Sequence, residues 1–379
     1  MPVQGGKHIY LDVSSAVHQK AGLKRYTESL ALALQPLLGE RLALFQNGLG
    51  QASPLPGFEG HLTVGVRQGY KPWRAEVLGR QLLQLPLDRL LPQAELFHAT
   101  EHLLLPLAHI PTVLTVHDLV FQRYPQYHKR LNYLYLRTAM PLYCRRANAI
   151  IAVSQSTGDD LMRYYHIPAS KITVIPEAAA PAFCPQPPTI IKEVRQRYGL
   201  PERYLLTVGT IEPRKNLARL LEACSPILAA NLVESLVIVG KEGWLYEDLI
   251  RQMAAFRYRE RVHRLGYVAE ADLPAIYGGA LLTVQPSLYE GFGLPVLEAM
   301  ACGSPVCASR VSSLPEVGGD AARYFDPLSI EEITECLRQV LLDETIQLEM
   351  HVSSLQRAAQ FSWHRTALET LAVYNRLIG

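Results

Sequence analysis

The chain has 379 residues, 49% hydrophobic and 19% charged, with 37 Lys and Arg against 35 Asp and Glu for a formal net charge of +2. That composition is too apolar for a disordered chain, and its apolar runs are too interrupted for a membrane-spanning one. Near-neutral charge argues against a nucleic-acid binder, and a length beyond the roughly 250–300 residues of a single core predicts two domains.

The charge is unevenly spread. Residues 1–180 hold 18 Lys and Arg and 12 Asp and Glu, a net of +6, which leaves −4 for the remainder. A basic front half and an acidic back half suit different partners. The six cysteines, Cys144, Cys184, Cys224, Cys302, Cys307 and Cys336, form no C-x-x-C pair and fit reduced thiols. The start, MPVQGGKHIYLDV, runs into a strand with no apolar leader, which predicts a cytoplasmic protein. The longest apolar stretch, 103–116, is broken by His109 and two prolines and is shorter than the roughly 20 residues a bilayer needs.

Strands are predicted at His8–Val13, Leu42–Phe45, Leu96–His98, Thr112–Val116, Ala149–Val153 and Ile172–Ile175. A second series follows at Tyr204–Val208, Ser235–Val239, Val262–Leu265, Leu281–Gln285, Val306–Ala308 and Ala322–Phe325. Amphipathic stretches such as Tyr26–Leu38 and Leu217–Ala229 lie between them, the alternation of βαβ units and parallel sheets. The Pro- and Ala-rich PEAAAPAFCPQPP (176–188) breaks the series as a linker. The expected organisation is an α/β chain with one doubly wound domain at 1–180, another at 181–360, and a helix at 361–379.

The chemistry concentrates in QPSLYEGFGLPVLEAMACGSPV (285–306). A buried strand ends, a loop with Gly291 and Gly293 follows, and a helix is expected near Pro295, which suits a first helical position. Close backbone approach and a helix start favour a phosphate. Glu290 and Glu298 bracket the loop. A carboxylate there can accept paired sugar or ribose hydroxyls. Dipole compensation in a first helical turn is the structural reading of Glu298, and a solvated loop acid that of Glu290. TVGTIEPRKN (207–216) repeats the strand-to-helix pattern and places Arg214 and Lys215 at a helix start. Cations oppose the dipole there, so a ligand role is favoured.

These segments resemble glycosyltransferase family 4. EGFGLPVLE (290–298) is similar to that family's E-x7-E motif, and GTIEPRKN, LVIVGKEGW, LGYV, SSLPEVGGDAA, FHAT, TVHDL and FSW also match. The resemblance covers nearly the whole chain. GTIEPRKN with TVHDL is most like the mannosyltransferase-type subgroup of polysaccharide biosynthesis. It implies a GT-B fold, two Rossmann-like domains facing a cleft, with the terminal helix returning to the first. It also implies a retaining, metal-independent enzyme that uses a GDP- or UDP-sugar and needs no resident cofactor. Glu290 would hold a donor-sugar hydroxyl, and Gly291, Phe292, Gly293 and Leu294 the sugar and phosphate. Glu298 would take the ribose, Lys215 and Arg214 the diphosphate, and Tyr267 and Val268 the base. Gly22, Thr210 and Gly240 complete the donor set. His117 would touch the sugar near the acceptor. His98, Thr100 and His102 cluster near a parallel strand end and, with Arg25, are expected from their position to line the acceptor cleft. Thr210 stands where many members have arginine.

There is no D-x-D, and Asp159 and Asp160 follow Ser154 at a helix start, where capping explains them. Ser313-x-x-Glu316 reads as a capping box. The leaving diphosphate must then be met by Lys215, Arg214 and backbone N–H groups. The acceptor is expected to be a glycan or a lipid-linked oligosaccharide. Gly69–Leu91 and Tyr127–Arg146 mix cations with aromatic and leucine residues, which suits peripheral contact with an anionic membrane as well as a solvated face. An oxidoreductase lacks its third loop glycine here. A nucleotide-sugar epimerase and a non-catalytic nucleotide-sugar binder remain as alternatives.

Overall fold

The protein is described by a computed structural model that covers residues 7–18, 21–48 and 55–379. Residues 1–6 lie outside this range, and with them the expectation that no leader precedes the first strand. The chain divides into two compact units, Met1–Glu177 joined by Ser362–Gly379, and Ala178–Phe361.

The first unit is built on seven strands: β1 (His8–Asp12), β2 (Leu42–Asn47), β3 (Thr63–Val66), β4 (Ala94–Ala99), β5 (Thr112–Val116), β6 (Ala149–Ala152) and β7 (Ile172–Val174). They lie in the order β3-β2-β1-β4-β5-β6-β7, all parallel. β1, β5 and β6 are almost wholly buried, as a parallel sheet covered on both faces requires. β3 was not predicted. It is a half-exposed edge strand in which Gly65 breaks the apolar pattern, because a Cβ there would lie 1.9 Å from the Gln46 carbonyl oxygen.

The helix Trp363–Ile378 packs in this first unit although it follows the whole of the second. Tyr374 shares a 2.6 Å hydrogen bond with His98 Nδ1, Thr366 Oγ1 donates to the Pro176 carbonyl at 2.8 Å, and Trp363 meets the Tyr26 ring edge-on at 5.8 Å. Its buried residues Trp363, Thr366, Ala367, Thr370, Val373 and Tyr374 recur at helical spacing.

The second unit holds β8 (Tyr204–Val208), β9 (Ser235–Val239), β10 (Val262–Gly266), β11 (Leu282–Gln285), β12 (Val306–Ser309) and β13 (Ala322–Phe325). They run parallel in the order β10-β9-β8-β11-β12-β13. The helix Leu217–Ala229 buries Leu217, Leu220, Leu221, Cys224, Ile227 and Leu228, an unbroken 3.6-residue stripe against the sheet. The chain builds outward from β8 to β9 and β10, then returns to the other side of β8 with β11. That reversal makes the β8/β11 junction a topological switch point, where loops at the carboxyl ends of strands part and ligands bind in open α/β sheets.

Among the described residues, no helix is long and apolar enough to cross a membrane, and no three His, Cys, Asp or Glu side chains are grouped to hold a metal ion. All six cysteines are free thiols.

Candidate active site at the switch point of the second unit

Two loops meet at this switch point, 209–216 after β8 and 286–293 after β11. Asn216 ties them together. It adopts a left-handed conformation (φ 57°), and its amide donates to the carbonyls of Pro286 at 3.0 Å and Pro327 at 2.7 Å. Leu288 N–H donates to the Arg214 carbonyl at 2.8 Å. Arg214 and Lys215 were expected at a helix start. They lie in a 3₁₀ turn, Pro213–Lys215, that ends on Asn216, the cap of the helix Leu217–Ala229.

Glu290 is the centre of the cluster. It is 6% exposed. Its Oε1 accepts from Lys215 Nζ at 2.6 Å, Ser287 Oγ at 2.6 Å and Gln285 Nε2 at 2.9 Å, and its Oε2 from Arg214 Nη1 at 2.7 Å. Burial alone would raise its pKa, but the Arg214 and Lys215 charges and the hydrogen bonds from Lys215 and Ser287 outweigh it. They hold the carboxyl well below the usual range. Arg214 also donates to the Tyr289 carbonyl at 2.7 Å and through Nη2 to Glu212 Oε1 at 2.5 Å. The reading of Glu290 as a solvated loop acid therefore fails: it is a fixed, ionised acceptor.

The serines after β12 hold the Glu290 loop in place. Ser312 Oγ accepts from Glu290 N–H at 2.8 Å, and Ser313 Oγ lies 3.0 Å from the Glu290 carbonyl and 2.6 Å from that of Phe292. Ser313 makes no side-chain cap to its own helix, so the capping-box reading is corrected. Gly293 has φ 111°, and a Cβ there would lie 2.8 Å from Leu314 Cδ2, so glycine is required. The helix Leu294–Ala301 follows, with Pro295 in its first turn as expected.

Glu298 is not in that first turn, which has no acidic residue. It is 1% exposed and accepts from the Tyr277 hydroxyl at 3.0 Å. Dipole compensation does not explain it. Gly291 and Phe292 are buried in the loop, and Leu294 is half-buried.

The other donor-site candidates lie along the same carboxyl edge. Gly209 N–H donates to Val239 O and Gly240 N–H to Gly266 O, both at 2.9 Å, so the loops after β8, β9 and β10 lie side by side. A Cβ at Gly240 would stand 1.9 Å from the Gly209 carbonyl oxygen. Thr210 is half-buried. Tyr267 is 65% exposed with Lys241 Nζ 4.7 Å from its ring centroid, and Val268 is buried beside it.

The first-unit candidates stand differently. His98 and Thr100 were expected to line a cleft, but both are fully buried. His98 is held between the Tyr374 hydroxyl and Thr115 Oγ1, and burial together with the nearby His117 charge pushes its pKa down to about 3, so it is neutral. Thr100 Oγ1 donates to the Asp12 carbonyl at 2.6 Å. Both are interior supports. His117 is 8% exposed, with Nδ1 3.1 Å from Glu177 Oε1 and Nε2 2.9 Å from the Thr100 carbonyl. Burial opposes its charged form, but the hydrogen bond and charge of Glu177 and the bond to the Thr100 carbonyl raise its pKa overall. Both partners are acceptors, so both ring nitrogens donate, as imidazolium does. Neither nitrogen is left over for a direct sugar contact in this arrangement. Arg25 is half-buried in the helix Ala21–Leu38. Gly22 is exposed in its first turn, where a Cβ would meet nothing within 4 Å, so no close backbone approach demands a glycine.

Two doubly wound parallel sheets, with a buried cation–carboxylate cluster at one switch point, define a two-domain α/β protein of the GT-B kind. Solved structures of that fold superpose along nearly the whole chain. HepE from Anabaena, in complex with UDP and glucose, matches with a TM-score of 0.76 and 19% identity over 97% of this chain and 99% of that one. Sucrose-phosphate synthase from Thermosynechococcus elongatus matches at 0.78 and 20% identity, over 98% and 99%. The family model described as Glycosyltransferase Family 4 matches residues 21–181, and that described as Glycosyl transferases group 1 matches 191–358. O-antigen chain mannosyltransferase B of Escherichia coli is 35% identical over 268 residues, 70% of each chain. The serotype-specific mannosyltransferase WbdA of the same organism is 34% identical over 241 residues, 62% of this chain and 29% of that one. The chain belongs to glycosyltransferase family 4 and is a hexosyltransferase similar to the mannosyltransferases of polysaccharide assembly.

Proposed function

We propose that the enzyme transfers mannose from GDP-mannose to a growing glycan or lipid-linked acceptor, with retention of anomeric configuration and without a metal ion. The observation that carries the reading is the ionised Glu290 locked to Lys215 and Arg214 at the β8/β11 switch point. Mannose follows from the names of the relatives. UDP-glucose is the second reading, favoured by the HepE structure solved with that donor.

In this scheme Lys215 and Arg214 bind the diphosphate, and Glu290 accepts a sugar hydroxyl. The Gly291–Leu294 backbone lies along the sugar and phosphate, and Glu298 takes the ribose. The bond from the anomeric carbon to the diphosphate breaks on the face where the acceptor oxygen bonds, and the acceptor proton passes to the leaving phosphate. Cations and backbone N–H groups meet the leaving charge without an acidic metal cage. His117, paired with Glu177, fixes the Thr100 carbonyl at the carboxyl edge of the first sheet.

Exposed Leu131 and Leu134 lie within a turn of Arg130 and Arg137 on one helix of the first unit, Leu82 and Leu83 are exposed at the end of another that begins near Lys71, and these residues suit an anionic membrane face. Trp73 and Arg74 are not part of it. Trp73 is buried, and Arg74 stacks 3.7 Å from the Tyr135 ring centroid.

A thermal-shift panel of GDP-mannose, UDP-glucose and related donors, with and without EDTA, tests this reading. A donor at 100 times its Kd stabilises by about 2.7 kcal/mol. For a unit of this size that is roughly 5–10 °C. Silence toward every nucleotide-sugar refutes the donor site, and loss of turnover in EDTA refutes metal independence. Release of an isomerised nucleotide-sugar without an acceptor would identify an epimerase.

A further inference from the structure

Arg214 serves two carboxylates at once. Its Nη2 donates to Glu212 Oε1 at 2.5 Å and its Nη1 to Glu290 Oε2 at 2.7 Å. Glu212 is 4% exposed, and its second oxygen, Oε2, has no donor within hydrogen-bonding distance. A buried carboxylate oxygen without a donor is destabilising. Beside a guanidinium it is also unexpected, because arginine's planar fork can satisfy both oxygens of one carboxylate. Here the fork is divided, and Glu290 holds half of it.

Glu290 needs that half back to bind a sugar. Its Oε1 already accepts from Lys215, Ser287 and Gln285, which leaves Oε2 for a ligand hydroxyl once Arg214 lets go. The backbone of Glu212 is fixed for the alternative pairing. Ile211 N–H donates to Lys241 O at 2.9 Å, Gly243 N–H donates to Ile211 O at 3.0 Å, and Pro213 follows with its own restricted φ.

Building on the donor reading above, we infer that Glu212 is a positioning residue that receives Arg214 when the donor sugar engages Glu290. The guanidinium turns from bridging two carboxylates to lying bidentate on Glu212. Both Glu212 oxygens are then satisfied, and Glu290 Oε2 accepts the sugar hydroxyl. Arg214 stays in the site as a phosphate cation throughout.

The test compares calorimetric affinities for GDP and GDP-mannose, and for UDP and UDP-glucose, in the full chain. The ratio of nucleotide-sugar to nucleoside diphosphate affinity isolates the sugar's contribution. Glu212→Gln, which cannot accept Arg214 bidentately, is expected to lower that ratio about tenfold while still binding the nucleoside diphosphate, which also reports a folded site. Glu212→Asp keeps both oxygens and is expected to restore most of the ratio. In a Glu290→Gln background the ratio is already low, and adding Glu212→Gln is expected to leave it unchanged. The hand-over is overturned if Glu212→Gln weakens diphosphate and nucleotide-sugar equally, or lowers the ratio further in the Glu290→Gln background. A wild-type chain that binds no nucleotide-sugar overturns the donor reading itself.

Discussion

Replacing Glu290 by glutamine separates three quantities that usually move together. Glu212, Arg214, Lys215 and Glu290 form a cluster of two acids and two bases, formally neutral before any ligand arrives. Glutamine keeps the shape and removes one negative charge, so the cluster becomes +1. The folded state loses charge-assisted hydrogen bonds to Lys215 and Arg214, worth about 2–4 kcal/mol together. For a unit of this size that is a fall in Tm of roughly 5–15 °C. A nucleoside diphosphate now meets two cations without their strongest competitor. One unit charge at ~6 Å with an effective dielectric of about 20 is worth at most ~3 kcal/mol. Partial solvent access to Arg214 and salt reduce this to ~1–2 kcal/mol, about tenfold tighter binding. Transfer is expected to fall ~100-fold or more, because the fixed acceptor for the sugar hydroxyl is gone. Differential scanning fluorimetry, calorimetry with GDP and UDP at two salt concentrations, and a transfer assay read the three terms. Weaker diphosphate binding in Glu290→Gln, or an unchanged Tm, would refute the view that Glu290 neutralises the phosphate cations in the free enzyme.

Three further outcomes follow from the same geometry. Tyr374→Phe removes the partner of buried His98 Nδ1 and is expected to cost about 1–3 kcal/mol, seen as faster hydrogen exchange in residues 362–379; unchanged exchange there argues against the anchor. Gly240→Ala sets a Cβ 1.9 Å from a backbone oxygen and should abolish nucleotide-induced stabilisation, whereas Gly22→Ala meets nothing and should leave donor binding intact and raise stability by about 0.5–1 kcal/mol; lost donor binding in Gly22→Ala would restore its role as a phosphate contact. His117 has a folded-state pKa above its ordinary value, so the stability it contributes is complete below pH ~6.5 and is lost as pH rises through the raised value. Melting from pH 6 to 9 should therefore show a decline in the wild type that flattens in Glu177→Gln, and equal slopes would remove the pair from the account.

The strands were legible wherever the sheet is buried on both faces, because β8 (YLLTV) and β9 (SLVIV) have no polar face to confuse the pattern. β3 was not, since Thr-Val-Gly-Val at an edge carries little apolar signal and its glycine is there for a backbone contact. The charged groups of the site could be read from EGFG and EPRKN. What holds them could not. Ser313 looked like a cap because capping depends on three-residue spacing, while its real partners, the carbonyls of Glu290 and Phe292, are more than twenty residues away. His98 and Thr100 sit at a strand end, as cleft residues do, but the terminal helix covers that end, and nothing local to FHAT reports a helix 276 positions on. Glu212 lay inside a quoted motif, and only its lone unsatisfied oxygen distinguishes it.

The first unit is discontinuous in sequence: its last helix is translated only after the 178–361 unit. On a ribosome every strand of both sheets is synthesised before the helix that buries His98. Order of synthesis and order of completion are therefore inverted: the unit that begins the chain is the last to receive all of its elements. A fragment ending at residue 361 would keep every strand of both sheets yet leave the His98–Thr115 pair open to water, so truncation at the far end is expected to damage the start of the chain more than its neighbour.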